Sequence, residues 1–384
     1  MSDRDMPTAD RKLSAPAGKG RWRLRPRENP GRAWRLMIVV LAIVAALAIS
    51  GLLLVIARVD VFKAYGALYD GAFGNWRSFM QTMVRASTLM LTGLAAAIPF
   101  KAKIWNIGQE GQLIAGGMAG FLAFTLFSDL PRPLFFALVL IFAAVGGALM
   151  GGFCGWLKVR LRVDEIISTM MLNYIVLYAV GYMLSSSSLW KESVSAYQQS
   201  VLIPNELRFP KLFPDSPLHM GFLVALVAAI LMKVLMDRSP LGFEIRALGL
   251  NPTAARFKGT NVSFTVVLVM LLSGGLAGLA GAGEVFGVQY RLVLDLAKGL
   301  GYTGIIVAML ANLDPIGVVL AAVLFGGLTN GAFRLQTATG VSSSFIGALQ
   351  AIVLLCVLAG FVLSRYQLTR VTDADRVTAD NDHS

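Results

Sequence analysis

A chain of 384 residues that is 56% hydrophobic and only 15% charged, with a mean hydropathy of +0.67, lies outside the soluble globular range of about half apolar and a quarter charged. Its repeated apolar runs have the length of transmembrane helices, so the expected fold class is all-α, a polytopic membrane protein of about ten spans, some short or broken. The net charge of +12 does not indicate nucleic acid, because residues 1–33 hold nine Lys and Arg against four acids, and a basic tail beside a first span is a cytoplasmic signal or a contact for membrane lipid.

The first apolar run, Trp34–Ala57, is too long for a signal-peptide core and reads as a retained span. Arg58–Arg85 is amphiphilic, with Phe62, Tyr65, Tyr69, Phe73 and Trp76 among charges, which suits the membrane–water interface. Further spans are expected near Ala86–Phe100, Gln109–Phe127, Leu134–Leu157 and Ile166–Leu184. Residues 185–218, rich in Ser and Pro, form an external loop, and Met220–Met236 is the next span. The polar stretch 237–262 then precedes Ser263–Ala282. Residues 283–304 are too polar for lipid exposure and are expected to be irregular or buried in protein. Short apolar pieces follow at Gly299–Asn312 and Pro315–Asn330, and the last span is Phe345–Ser364, before a tail at 367–384. An even number of spans puts both termini on one side, and the basic tail makes that side the cytoplasm.

A weak internal repeat is visible. Gly108-x-x-Gly111-x-Leu113-x-Ala115 recurs as Gly301-x-x-Gly304-x-Ile306-x-Ala308. A small-residue helix precedes each, TGLAAA in one half and GGLAGLAG in the other. Paired Gly-interrupted apolar segments in two halves are a transporter pattern.

Catalytic motifs fail in turn. No G-x-x-x-x-G-K-[ST] is present, and Gly18-Lys19-Gly20 lacks both spacing and hydroxyl. Two histidines, His219 and His383, and two isolated cysteines, Cys154 and Cys356, make no metal motif or disulfide framework. Neither catalytic residues, nor a metal, nor a cofactor is expected. Gly274-Gly275 and Gly278 through Gly281 point to close helix packing. Asn106, Gln109, Glu110 and Gln112 are costly in hydrocarbon. They either brace a helix break or line a permeation path, and the same two readings apply to Glu284 and Gln289 in the second half. Asp164 and Glu165, beside Arg160 and Arg162, read as a solvated pair at a helix start.

The stretch Leu241–Val262 is a polar island between two long apolar runs. Its Ala-rich pattern predicts one or two short helices against the membrane, with Asn251 capping the helix that Pro252 opens. Such a helical loop suits the docking of another protein.

VDEIISTMMLNYI, WNIGQEGQLIAGG and FEIRALGLNPTAARFKGTN resemble the membrane-spanning permeases of bacterial ATP-binding cassette importers. Their closest likeness is to the ribose, nucleoside and branched-chain amino acid branch, and within it to the nucleoside or simple-sugar type. The likeness covers roughly residues 35–365; it leaves the long basic tail unexplained, and Gly259-Thr260-Asn261 stands where Gly-Ile is commoner. It implies a bacterial inner-membrane subunit paired with a second permease, homologous or identical. Cytoplasmic ATP-binding subunits and an extracytoplasmic solute-binding protein complete the assembly. It further implies that Glu244, Arg246, Ala247, Gly249, Asn251, Ala254, Ala255 and Gly259 couple the permease to the ATPase, and that a small polar solute crosses by alternating access. The competing expectation is a secondary transporter coupled to protons or sodium through Glu110 or Glu284. A membrane-embedded transferase would need paired carboxylates or basic clamps that the spans lack.

Overall fold

The computed structural model describes residues 21–26, 32–185, 190–192, 195–342 and 344–371. Most of the two tails, 1–33 and 367–384, and residues 186–189 and 193–194 of the external loop lie outside the described residues. In chain order the elements are β1 (Arg21–Pro26), α1 (Arg32–Ile56), α2 (Val61–Phe73), α3 (Trp76–Lys101), α4 (Gln109–Phe127), α5 (Arg132–Leu161) and α6 (Glu165–Met183). They continue with α7 (Gly221–Arg238), α8 (Pro240–Leu250), α9 (Pro252–Phe257), α10 (Val262–Gly283), α11 (Leu300–Leu310), α12 (Pro315–Thr339), α13 (Ser344–Arg365) and β2 (Tyr366–Val371). Among the described residues six helices are long and apolar enough to cross a membrane: α3, α4, α5, α6, the helix running Val262–Gln289, and α12. The chain is an all-α polytopic membrane protein.

Two units divide it, Ala46–Leu355 and a second made of both ends, Met1–Ala45 with Cys356–Ser384. In the end-unit β1 and β2 pair antiparallel, Arg21 opposite Val371 and Pro26 opposite Tyr366. This ribbon is the exception to the helical architecture.

The amphiphilic stretch after α1 is more ordered than its pattern suggests. Asp60 accepts from Phe62 N at 2.9 Å and Lys63 N at 3.1 Å, which caps α2. Asn75 accepts from Ser78 N at 2.8 Å and starts α3 at Trp76, ten residues before the apolar run begins. Ala64, Leu68, Gly71 and Ala72 of α2 are buried, while Phe62 and Tyr69 stay exposed. The polar stretch after α10 is buried in protein, as its composition requires. The helix widens into a π-helical segment, Glu284–Gln289, and Val285, Phe286, Leu292 and Leu296 are fully buried. The external loop is stitched to it by Ser200 N to Leu292 O at 2.9 Å, Ile203 N to Tyr290 O at 2.8 Å and Phe209 N to Phe286 O at 3.1 Å.

The two repeat halves exchange partners. The small-residue helix of the first half, α3, packs on the second half's α11: Thr92 Oγ1 donates to Leu300 O at 3.2 Å. The small-residue helix of the second half, α10, packs on the first half's α4. There a Cβ added to Gly281 would lie 2.0 Å from Leu113 O, and one added to Gly116 would lie 2.2 Å from Gly278 Cα. With no such atom, the backbones approach to contact, which is how helices associate where lipid removes the hydrophobic drive.

Candidate functional site

Between α3 and α4 the chain leaves helical geometry at Ala102–Gly108, and its exposed backbone donors need partners in a low-dielectric surround. Lys103, Ile104, Asn106 and Gly108 are satisfied locally, while Trp105, Ile107 and, in the first turn of α4, Gly111 find acceptors on α6 at a spacing of four. Glu165 Oε1 accepts from Trp105 N at 3.3 Å, Thr169 Oγ1 from Ile107 N at 3.3 Å, and Asn173 Oδ1 from Gly111 N at 2.9 Å. Asn173 Nδ2 returns a bond to Ile107 O at 3.1 Å. Glu165 also pairs with Lys158 and is 6% exposed, so it is not the solvated interfacial group its charged neighbours suggest. Asp164 is exposed and caps α6 through Ile166 N at 2.8 Å. The 165/169/173 spacing on one helix face was the available signal for this brace.

The amide cluster closes on itself. Asn106 Nδ2 donates to Ser273 Oγ at 2.8 Å and Gln112 Oε1 at 3.1 Å, and Asn106 Oδ1 accepts from Gly108 N at 2.9 Å and Gln112 Nε2 at 3.2 Å. Ser273 Oγ continues to Ala95 O at 2.5 Å, so α3, α4 and α10 meet at one hydrogen-bonded point. Gln109 Nε2 donates to Asn106 O at 2.9 Å, but Gln109 Oε1 is buried without a partner. Glu110 reaches the other half: its two carboxylate oxygens accept from Gly299 N at 2.6 Å and Gly301 N at 2.8 Å. These are orphan donors at the start of α11, where a negative charge is favoured. Glu284 accepts from Thr88 Oγ1 at 2.7 Å, and its Oε2 has no partner. Gln289 is half-buried at the last residue of the π-helical segment.

A cavity of about 570 Å³ opens between α2, α3, α12 and the π-helical segment, lined among others by Gln81, Arg85, Tyr290, Asn330 and Arg334. None of the six path candidates lines it, although Gln289 adjoins Tyr290. His219 seals one side of the segment: a Cβ on Gly287 would fall 2.3 Å from its Cε1. It is buried, accepts from Gly221 N at 3.1 Å through Nδ1 and leaves Nε2 without a partner. Burial pushes its pKa down to about 4.

At the far end of α3 the polar island forms α8 and α9. Ser239 caps α8, accepting from Gly242 N at 3.0 Å. Asn251 caps α9, accepting from Thr253 N at 2.9 Å and Ala254 N at 3.1 Å, as its place before Pro252 predicts. The predicted docking residues divide into two groups. Gly249 is buried, with room for no Cβ, since one would lie 2.0 Å from Lys101 O. Ala255 is buried too, Ala247 is half-buried, Glu244 accepts from Thr265 Oγ1 at 3.2 Å, and Arg246 donates to Met236 O. These hold α8 and α9 to the membrane helices. Asn251, Ala254 and Gly259 are exposed, and beside them stand two large apolar side chains that sequence reasoning passed over, Leu250 at 82% and Phe257 at 89% exposure. Nearby, Lys233 pairs with Asp314 at 2.6 Å and Asp237 at 3.0 Å. Burial alone would raise the Asp314 carboxyl, but the Lys233 bond and Gly317 N–H hold it below the usual carboxylate range.

Residues 78–358 match the family described as branched-chain amino acid transport system / permease component. The chain is 36% identical to the guanosine ABC transporter permease protein NupP of Bacillus subtilis, over 86% of this chain and 95% of that one. It is 31% identical to the nucleoside ABC transporter permease protein NupB of Lactococcus lactis, covering 86% and 92%. It is 33% identical to the glucose ABC transporter permease protein TsgB13 of Haloferax volcanii, covering 86% and 88%.

Proposed function

This chain belongs to the family of branched-chain amino acid transport system permease components, and on that footing we propose that it is the membrane-spanning subunit of an ATP-binding cassette importer for a nucleoside or a simple sugar. The observation that carries this is near full-length likeness to three permeases named for guanosine, nucleosides and glucose. ATP is hydrolysed on separate cytoplasmic subunits, a second permease completes the translocation path, and an extracytoplasmic binding protein delivers solute. The family likeness leaves an ion-coupled secondary transporter without support.

Both termini are cytoplasmic in this reading. Its support is the β1–β2 pairing, which requires residues 21–26 and 366–371 to share one side of the membrane, together with the basic tail. The α8–α9 loop is then cytoplasmic, and the ATPase docks on Leu250 and Phe257. Gly249 under the end of α3 transmits the motion inward. The amide cluster braces the break before α4. Gln109, whose carbonyl is unpartnered, is its member best placed to meet a solute when the brace opens.

The test is reconstitution of the permeases and ATPase in proteoliposomes with binding protein, following uptake of tritiated guanosine, ribose and glucose. ATP-dependent uptake of a nucleoside or sugar is expected. Uptake driven by a proton or sodium gradient without the ATPase would overturn the reading.

A further inference from the structure

The cavity bounded by α2, α3, α12 and the π-helical segment has a chemistry more selective than polarity alone. Its volume of about 570 Å³ falls among ligand pockets, which span roughly 300–1,000 Å³. Arg85 is half-buried and Arg334 exposed at its wall. Among the described residues neither guanidinium makes a hydrogen bond or an ion pair within 4 Å, although the Glu284 carboxyl acts on Arg85 from further off. A guanidinium offers five donors and no acceptor, so these two ask for a ligand edge made of acceptors. Asn330 supplies the opposite polarity. Its amide nitrogen is engaged by Gly71 O at 2.9 Å, Ser78 O at 3.0 Å and Thr82 Oγ1 at 3.2 Å, which fixes the orientation and leaves the carbonyl oxygen as an acceptor. Tyr290 adds an aromatic ring, held by Arg208 at 4.3 Å from its centroid, and Val84 and Val288 add apolar wall.

From this set we propose that the cavity binds the base of a 6-oxopurine nucleoside, with Arg85 and Arg334 on its O6/N7 edge and Asn330 accepting from its N–H edge. The proposal rests on the nucleoside reading above and narrows it. Guanidinium to O6 and N7 is the commonest base-specific pairing of guanine. An adenine would present its N6 amino donor to the same guanidiniums and lose the bond. A sugar can lay a C–H face on Tyr290 but has no rigid planar edge that sets two acceptors against the guanidiniums and a donor against Asn330. A phosphate would suit the arginines, but without a protonated edge it offers the Asn330 carbonyl only acceptor oxygens, which disfavours an anion.

The experiment measures equilibrium binding of tritiated guanosine to the purified permease–ATPase complex, without binding protein. Inosine, adenosine, cytidine, glucose and inorganic phosphate serve as competitors. Guanosine and inosine should compete at least tenfold better than the others. Arg85→Gln and Arg334→Gln should each weaken guanosine binding about tenfold or more, the range of one bidentate base contact. Arg85→Lys, which keeps the charge and loses the fork, should not restore it. Arg334 is exposed on α12, so its variant carries the test even where Arg85→Gln fails to accumulate. A complex that imports nucleosides but binds guanosine and cytidine alike overturns this inference and leaves the proposed function standing. So does phosphate as the strongest competitor, or equal weakening of every solute in both variants. A complete assembly that imports no nucleoside overturns the nucleoside reading itself.

Discussion

Leu250 and Phe257 give the sharpest test of how the permease meets its ATPase. At 82% and 89% exposure they contribute little to the fold of the isolated chain, so alanine at either position should change its stability by no more than about 0.5 kcal/mol. Fully burying such a side chain in a partner's groove is worth roughly 1.5–3 kcal/mol. Each truncation should therefore weaken docking by about ten- to a hundredfold, at about 1.4 kcal/mol per factor of ten. The double variant should weaken it further, less than additively if the two share a pocket. The measurement is a titration of detergent-solubilised permease with fluorescent ATPase subunit, beside thermal unfolding of the permease alone. Arg246→Ala is the contrasting control. Its bond to Met236 O lies within the α7–α8 corner, so it should lower thermal stability more than the two apolar variants do. A Leu250→Ala/Phe257→Ala protein that docks within about twofold of wild type would refute the assignment of this face.

Three further outcomes follow from the packing. Gly281→Ala places a Cβ 2.0 Å from Leu113 O, whereas Gly283→Ala meets nothing within 4 Å; the first should lose about 1–3 kcal/mol or more of stability in detergent and the second little, and equal melting points would contradict the α4–α10 contact. Glu110→Ala strands the N–H groups of Gly299 and Gly301, at about 1–3 kcal/mol each. Glu110→Gln, which keeps one acceptor, should fall between it and wild type by the same melting assay. His219 is held neutral with its pKa pushed down to about 4, so between pH 6.5 and 4 the unfolded chain takes up a proton that the folded one refuses. Stability is then lost as pH falls through that window, on the order of 3 kcal/mol in all. His219→Gln should show a shallower loss over the same range, and identical pH slopes would refute the burial argument.

Much of the architecture was legible because lipid imposes a one-dimensional rule: an apolar run of sufficient length becomes a helix. What the rule could not give were contacts between residues far apart in sequence. Glu165 looks solvated from its neighbours Arg160, Arg162 and Asp164, yet its partner Trp105 N lies 60 residues away. Asn106 announced a costly polar group, but not that Ser273, 167 residues on, would answer it. In the α8–α9 segment, charge drew attention to Glu244 and Arg246, which turn inward to Thr265 and Met236. Leu250 and Phe257 carried no signal, because an apolar residue in a membrane protein is the default. Arg85 escaped notice for the opposite reason, as one charge in an amphiphilic stretch taken for an interface.

The exchange of partners between the two halves sets a timetable for biogenesis. Glu110 finds its hydrogen-bond donor at Gly299, 189 residues later in the chain. At about 5–20 residues per second of synthesis, roughly 10–40 s separate the two ends of that bond. Throughout the interval α4 has entered the membrane with a carboxylate that its own half does not satisfy. A chain truncated before α11 would thus display an unanswered acid within the bilayer, a recognisable mark for the proteases that clear incomplete membrane proteins. By the same logic the amino-terminal half expressed alone should be degraded, and co-expression of a fragment beginning before α10 should rescue it.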